Sequence, residues 1–296
     1  MACKNPKSLS LLCLCVIFFS VSACKTIPKA PDVFLPSARH APLDTGATLY
    51  LFADVKEARS IIELLPIEEL KNRQTAQLLD RTDFVAAALF PDESGRRLQL
   101  AAWGNYPSSQ AGLVFSFDRN WQSRRSSSSQ SYWYSPPGRL SVAMTSKQAF
   151  MLSLLIDTPT EPFAAAPGIE IPEGYADFRQ SAPLSCWMEN PGSIISGMMS
   201  QAGVPFSFNV QKLFVNIFIL EDNQYEAVFR LRFENNSFAR GFAALLGMAS
   251  GFIQDNNLAK LFLANPPVQR GTDVDIKTAS LSGEEMSLLL QMISLY

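Results

Sequence analysis

Twice along this 296-residue chain a run of β-forming residues gives way to apolar residues three and four apart, then to two alternating runs joined by a turn. Switching between a period of 2 and a period of 3.6 restricts the chain to mixed architectures in which helices cover sheets. In the first half, residues 48–54 read as a strand bounded by Gly46, and Ala58, Ile61, Ile62 and Leu65 mark a helix over 56–65. A second helix is predicted over 67–79, with Leu70, Leu78 and Leu79 apolar. Residues 83–90 and 97–103 form two strands around the turn 91–95. A helix over 108–117 follows, then strands at 132–135, 139–145 and 148–156, with Pro136, Pro137 and Gly138 as a turn.

The second half repeats this order. Residues 183–189 read as a strand, and Asn190 with Pro191 supplies an N-cap and a proline at the first helical position. Ile194, Ile195, Met198 and Met199 give that helix its apolar face. A hairpin spans 212–220 and 224–234 through Glu221, Asp222 and Asn223, followed by an apolar helix over 237–253 and a short one over 257–264. A strand at 273–280 precedes a last helix, opened by a capping box of Ser282 and Glu285 and carrying Met286, Leu289, Leu290 and Ile293. At an offset of 130, Phe84 and Val85 fall on Phe214 and Val215, Asp92 on Asp222, and Asn105 on Asn235. The expectation is an α+β fold made of two divergent copies of a strand–helix–hairpin–helix–strand unit, antiparallel sheets packed against helices. Chance likeness of two α+β segments is the alternative. The expected division is 1–23 leader, 24–46 proline-rich tether, 47–156 first half, 157–182 linker and 183–296 second half.

Everything before residue 24 is set apart from that body. Lys4 and Lys7 precede an apolar run from Leu9 to Phe19, and Val21, Ser22 and Ala23 lead to Cys24. A basic start, a short apolar run and small residues at the cleavage point describe a secretory signal peptide. The run is shorter than the roughly 20 apolar residues that cross a bilayer as a helix. The tetrad resembles the lipobox of bacterial lipoproteins. On that resemblance Cys24 becomes the mature N-terminus and carries acyl chains that hold the protein to a membrane in the periplasm or cell envelope. Lys25 is not the aspartate that marks inner-membrane retention in enterobacteria, so an outer-membrane destination follows where that sorting rule applies. Together with the two-copy α+β body, the lipobox resembles the lipoproteins of spirochaetes.

Loss of residues 1–23 removes two lysines and no acid, taking the formal charge from −2 to −4. Nucleic-acid binding favours the opposite balance, so no nucleic-acid partner is expected. Cys3, Cys13 and Cys15 leave with the leader and Cys24 is taken by lipid, so Cys186 is the one remaining thiol and reads as a small buried hydrophobe. The single histidine, His40, lies in the tether; no zinc cluster, cofactor loop or nucleophile–base pair is present in the sequence. Only carboxylates near strand ends, Asp54, Asp80, Asp83 and Glu189, could serve as acid and base, and local capping and ion pairing account for such residues equally well.

Two segments are unusual. Between Trp121 and Tyr134, Arg124, Arg125, Tyr132 and Trp133 flank a serine-rich stretch. They could stack on a sugar or a partner, or form paired strands with a solvated loop tip. The 237–253 helix, with Phe242 and Leu246, is apolar nearly all round, and Met198 and Met199 neighbour it in composition. Such a helix is buried, or it lines an apolar groove or a subunit contact. The expected function is a non-enzymatic binding or assembly module with a protein partner in the envelope, using no metal or cofactor. Carriage of an apolar ligand or lipid is the alternative, and a carboxylate-based hydrolase the third.

Overall fold

The computed structural model describes residues 43–65, 73–90, 97–106, 115–116, 118–125, 131–146, 149–154, 169–179, 181–192, 195, 209–249 and 264–294. Strand β1 (Leu49–Asp54) is followed by helices α1 (Arg59–Glu63) and α2 (Arg73–Arg81). Next come strands β2 (Thr82–Phe90), β3 (Arg97–Gly104), β4 (Gln122–Arg125), β5 (Ser131–Ser135), β6 (Leu140–Ser146) and β7 (Ala149–Leu154). Helix α3 (Tyr175–Arg179) precedes strands β8 (Leu184–Glu189), β9 (Val210–Ile219) and β10 (Tyr225–Phe233). Helix α4 (Asn236–Ala249), strands β11 (Val268–Arg270) and β12 (Asp273–Lys277), and helix α5 (Gly283–Ser294) complete the described chain. Two units form: one holds 52–63 and 67–170, the other 48–51, 64–66 and 171–296, with β1 contributing to both.

In the first unit the strands run in the order β1-β2-β3-β7-β6-β5-β4, and the β2–β3, β3–β7, β7–β6, β6–β5 and β5–β4 pairs are antiparallel. Strand β2 alternates buried and half-buried residues without a break, as a strand with two differently covered faces must. One face of the sheet carries Ala102, Leu140, Val142 and Leu152, which pack with Tyr106, Phe115 and Trp121. The other face is different in kind. The registers align Ala88, Gln99, Ser153, Ser141 and Tyr134 in one row across five strands.

Ser141 and Ser153 are fully buried in that row, and their hydroxyls have no hydrogen-bond partner among the described residues. A buried unpaired hydroxyl costs about 1–3 kcal/mol, so a methyl in its place removes a penalty and vacates only the volume of an oxygen. We expect Ser153→Ala to leave stability unchanged or raise it by up to ~2 kcal/mol in urea unfolding. A loss above ~1 kcal/mol would show that the hydroxyl is satisfied.

In the second unit the order is β11-β12-β10-β9-β8, again antiparallel throughout. Five consecutive residues of β9, Leu213 to Ile217, are buried, as a central strand covered on both faces requires. Trp187 and Phe214 face each other on one side, under Tyr175 and Phe178 of α3. Helix α4 packs against β10, β11 and β12, with the Phe233 and Phe242 rings 5.1 Å apart. The three-residue β9–β10 connection, Glu221 to Asn223, places Asp222 (φ 58°) and Asn223 (φ 56°) in the left-handed region, which aspartate and asparagine tolerate. Ser282 and Glu285 form the reciprocal capping box, Ser282 N–H donating to Glu285 Oε2 at 2.8 Å and Glu285 N–H to Ser282 Oγ at 3.3 Å.

The structure is thus a mixed helix and sheet fold in which antiparallel sheet predominates. Two boundaries differ from the sequence reading. Leu43 is fully buried and Asp44 accepts hydrogen bonds from Arg97 and Gln99, so 43–46 belong to the fold rather than to the tether. The stretch 157–182 does not end as a linker: Tyr175 and Phe178 are buried core of the second unit. Five helical residues among prolines are too few to show helical spacing, although their aromatics drive the burial. Strand β11, three residues long, was missed, whereas β4 and β5 are the paired strands read as one alternative for the Trp121–Tyr134 segment.

Candidate functional site

The aromatic–arginine segment folds as the β4–β5 hairpin, with Gln122 opposite Tyr134 and Arg124 opposite Tyr132. Alternation along β5 sends Trp133 to one face and Tyr132 and Tyr134 to the other. Trp133 stacks on Phe115 at 5.1 Å, and Trp121 meets the edge of the same ring at 4.7 Å, so both indoles belong to the apolar core. Tyr132 is buried as well. The accessible residues are polar, Gln122 and Ser123 beside two arginines. Arg125 is exposed, and the Arg124 guanidinium lies 4.2 Å over the Tyr134 ring while donating to Gln122 Oε1 at 2.9 Å. The intervening serine loop lies outside the described residues.

Helix α4 divides its apolar residues between two surroundings. Ala239, Phe242 and Leu246 are buried. Phe238 and Met248, by contrast, are 50% and 57% exposed, with the exposed Gly241 and Ala244 between them. A helix apolar all round is therefore only half covered. Met198, Met199, Cys24 and His40 lie outside the described residues.

Each candidate acid has a local partner. The Asp54 carboxylate accepts the Glu57 N–H at 3.3 Å, Asp80 lies 3.2 Å from Arg59, and Glu189 pairs with Lys212 at 2.8 Å. Asp83 pairs with Lys56, and its carboxylate holds that ammonium above the usual lysine range through the hydrogen bond and its charge. Exposed pairs of this kind are local surface contacts, worth about 0–1 kcal/mol each. No group of three or more metal-ligating side chains occurs among the described residues. Cys186 is buried and its thiol is pushed up to about 12 by desolvation, which keeps it protonated and unreactive at neutral pH.

Sequence reading missed the most ordered charged feature of the second unit. Arg230 and Arg232 of β10 grip Asp275 and Asp273 of β12 through paired hydrogen bonds of 2.7–2.9 Å. The guanidiniums also lie 4.7 Å over Phe178 and 5.3 Å over Phe214. The period-2 placement of two arginines in one strand and two aspartates in another was the available signal. Among the described residues, no helix is long and apolar enough to cross a membrane, which says nothing of crossing by strands.

These features define a mixed sheet-and-helix protein whose four candidate acids have local partners and whose α4 leaves apolar surface uncovered. A family model described as the outer membrane-associated lipoprotein TP0453 matches residues 41–260, and the chain belongs to that family. TP0453 is a lipoprotein of a spirochaete, Treponema, in line with the resemblance read from the lipobox and the body. The protein is accordingly a membrane-associated lipoprotein of the cell envelope. Among solved structures, crystal form I of TP0453 matches with a TM-score of 0.61 at 17% identity, covering 87% of this chain and 97% of the other. Crystal form III matches with a TM-score of 0.59 at 15% identity, covering 87% and 98%. At that identity the likeness concerns the fold. No curated protein sequence matches the chain.

Proposed function

We propose that this protein is an outer-membrane lipoprotein, held by acyl chains on Cys24, whose folded part is a non-enzymatic binding or assembly module. The observation that carries the reading is the half-covered helix α4. Phe238 and Met248 keep half or more of their surface in solvent, although the same helix has a fully packed opposite side. Phe238, Gly241, Ala244 and Met248 fall on one side of the helix by their spacing, and apolar residues gathered on one exposed face support a binding role. Carriage of a small apolar ligand is less well supported, because Phe242 and Leu246 are spent on packing, Phe242 against Phe233. A carboxylate hydrolase would need acids free of structural duties, and the four candidates have such duties. Outer-membrane residence comes from the family's description and fits Lys25 after the lipobox cysteine.

The strand orders β1-β2-β3-β7 and β8-β9-β10-β12 follow the same plan within their units, which supports descent from a duplicated segment. The residues between Cys24 and Leu43 hold Pro28, Pro31, Pro36 and Pro42, a composition suited to a tether.

Growth with labelled fatty acid, followed by detergent phase partition, tests the anchor. Wild-type protein is expected labelled and in the detergent phase, and Cys24→Ala unlabelled and aqueous. Equal label and equal partition of the variant would sink the proposal. A photo-cross-linking residue in place of Phe238 tests the module in intact cells. A discrete cross-linked product with an envelope protein is expected, and its absence at both Phe238 and Met248 counts against the reading.

A further inference from the structure

We infer that the free edge of β4 is a docking strand for an extended acidic segment of a partner protein, added antiparallel through its backbone and clamped by Arg124 and Arg125. The inference rests on the binding-module reading and gives that module a second surface, separate from α4. Three observations carry it. First, β4 is the outermost strand of the first unit's sheet, and no described strand lies beyond it, so one side of its backbone is unpaired within the sheet. An open edge of this kind can receive another strand.

Second, the charge is one-sided. From residue 119 to residue 156 the sequence holds Arg119, Arg124, Arg125, Arg139 and Lys147 and no aspartate or glutamate, in a chain whose acids otherwise outnumber its bases. Third, the arginines are poised but unneutralised. Elsewhere in the described structure arginines on sheets meet carboxylates: Arg97 pairs with Asp44, Arg230 with Asp275 and Arg232 with Asp273. Among the described residues Arg124 and Arg125 meet none. Instead, Arg124 is held against the Tyr134 ring at 4.2 Å and by Gln122 Oε1 at 2.9 Å. A stacked guanidinium keeps its charge and its remaining N–H donors available while losing less freedom on binding.

The geometry also specifies the partner. Along β4, Gln122 and Arg124 project from one face, Ser123 and Arg125 from the other. Residues directly opposite across a strand pair stand about 4.5–5.5 Å apart, so adjacent acids on the incoming strand would answer Arg124 on one face and Arg125 on the other. Arginines on an edge strand are also a common defence against unwanted pairing. Defence predicts no binding of any strand, which separates the two readings. Anionic lipid is the other source of negative charge, but it offers no strand backbone for the β4 edge.

The test uses the mature chain 24–296 without acyl chains and two probes. One is a synthetic octapeptide of threonine and valine with two adjacent glutamates at its centre; the other is vesicles of phosphatidylcholine and phosphatidylglycerol. Saturable peptide binding is expected, weakened about tenfold or more in the Arg124→Glu/Arg125→Glu double variant and in a peptide N-methylated along one backbone edge. Because both arginines reach solvent, circular dichroism of the double variant should match wild type. Two outcomes overturn the inference: no peptide binding, whether or not the variant loses vesicle binding, or binding indifferent to the double variant or to N-methylation. None of these touches the α4 cross-linking result, so failure here leaves the module reading standing.

Discussion

Trp187→Ala should lower stability by about 3–5 kcal/mol, the largest loss expected from any single truncation in the second unit. Trp187 is 1% exposed and stands opposite Phe214 across the β8–β9 pair. Its ring centroid lies 4.8 Å from that of Tyr50 and 4.5 Å from that of Tyr175, the latter edge-on at 68°. Tyr175 in turn meets Phe214 at 5.8 Å and hydrogen-bonds Ser185 at 2.8 Å. Removing the indole therefore forfeits its transfer from water, leaves a void beneath α3, and breaks two aromatic contacts worth about 0.5–1.5 kcal/mol each. The five residues of α3 have little hydrogen bonding of their own to hold them once that floor is gone. Urea unfolding followed by far-ultraviolet circular dichroism should show the midpoint fall, with Trp187→Phe losing roughly half as much. A loss below ~1 kcal/mol for Trp187→Ala would mean that the core collapses freely around the gap, contrary to the packing described.

The same aromatic cluster marks the limit of what could be read from sequence. Strands β1, β2, β3 and β5 to β10 were legible because their residues alternate, or run apolar without a break, between turn formers. The turn at Asp222 and Asn223 and the cap at Ser282 and Glu285 carry local chemistry that specifies geometry with little tertiary help. Strand β11 was not legible, and β4 was legible only as one half of paired strands around the serine tip. They are edge strands of three and four residues, too short to show alternation, and pairing makes them strands. Helix α3 was hidden by neighbouring prolines, since its burial depends on Trp187 and Phe214, which lie well away in sequence.

The repeat proposed at an offset of 130 agrees in the order of elements more than in strand register. Phe84 pairs with Trp103, whereas Phe214 pairs with Arg230, so the second strand of each hairpin follows an offset of 127 instead. A shorter turn in the second hairpin absorbs the difference. At the candidate sites, the period of 2 along β5 separates Trp133 from Tyr132 and Tyr134. Composition could not say that Trp121 and Trp133 would share Phe115, because that ring arrives from a separate segment. Apolar content likewise concealed the two-sided character of α4. Phe238 and Phe242 are the same residue type one turn apart, and only packing makes one 50% exposed and the other 1%.

Gly104→Ala should be more damaging than its single added carbon suggests, with a loss of about 3 kcal/mol or more and low soluble yield. A β-carbon at Gly104 would lie 2.0 Å from the Arg81 carbonyl oxygen and 2.9 Å from Arg81 C and Thr82 Cα. All three are backbone atoms, which no rotamer change can withdraw. They are also pinned. The Arg81 carbonyl accepts the Asn105 N–H at 2.8 Å, and Thr82 Oγ1 donates to Leu78 O at 2.8 Å while accepting the Tyr106 hydroxyl at 3.0 Å. The end of α2 and the end of β3 are thus held together at a distance that only glycine permits, and the β2–β3 register shifts at the same place. Gly241 makes the matched control. It lies in α4, is exposed, and a β-carbon there meets nothing within 4 Å. The same substitution at Gly241 should therefore stabilise, by about 0.5–1 kcal/mol, through helix propensity alone. Thermal and urea unfolding of the two variants should move in opposite directions. A Gly104→Ala protein as stable as wild type would mean that α2 and β3 can separate without loss, and the close approach would then not be needed to hold the helix end.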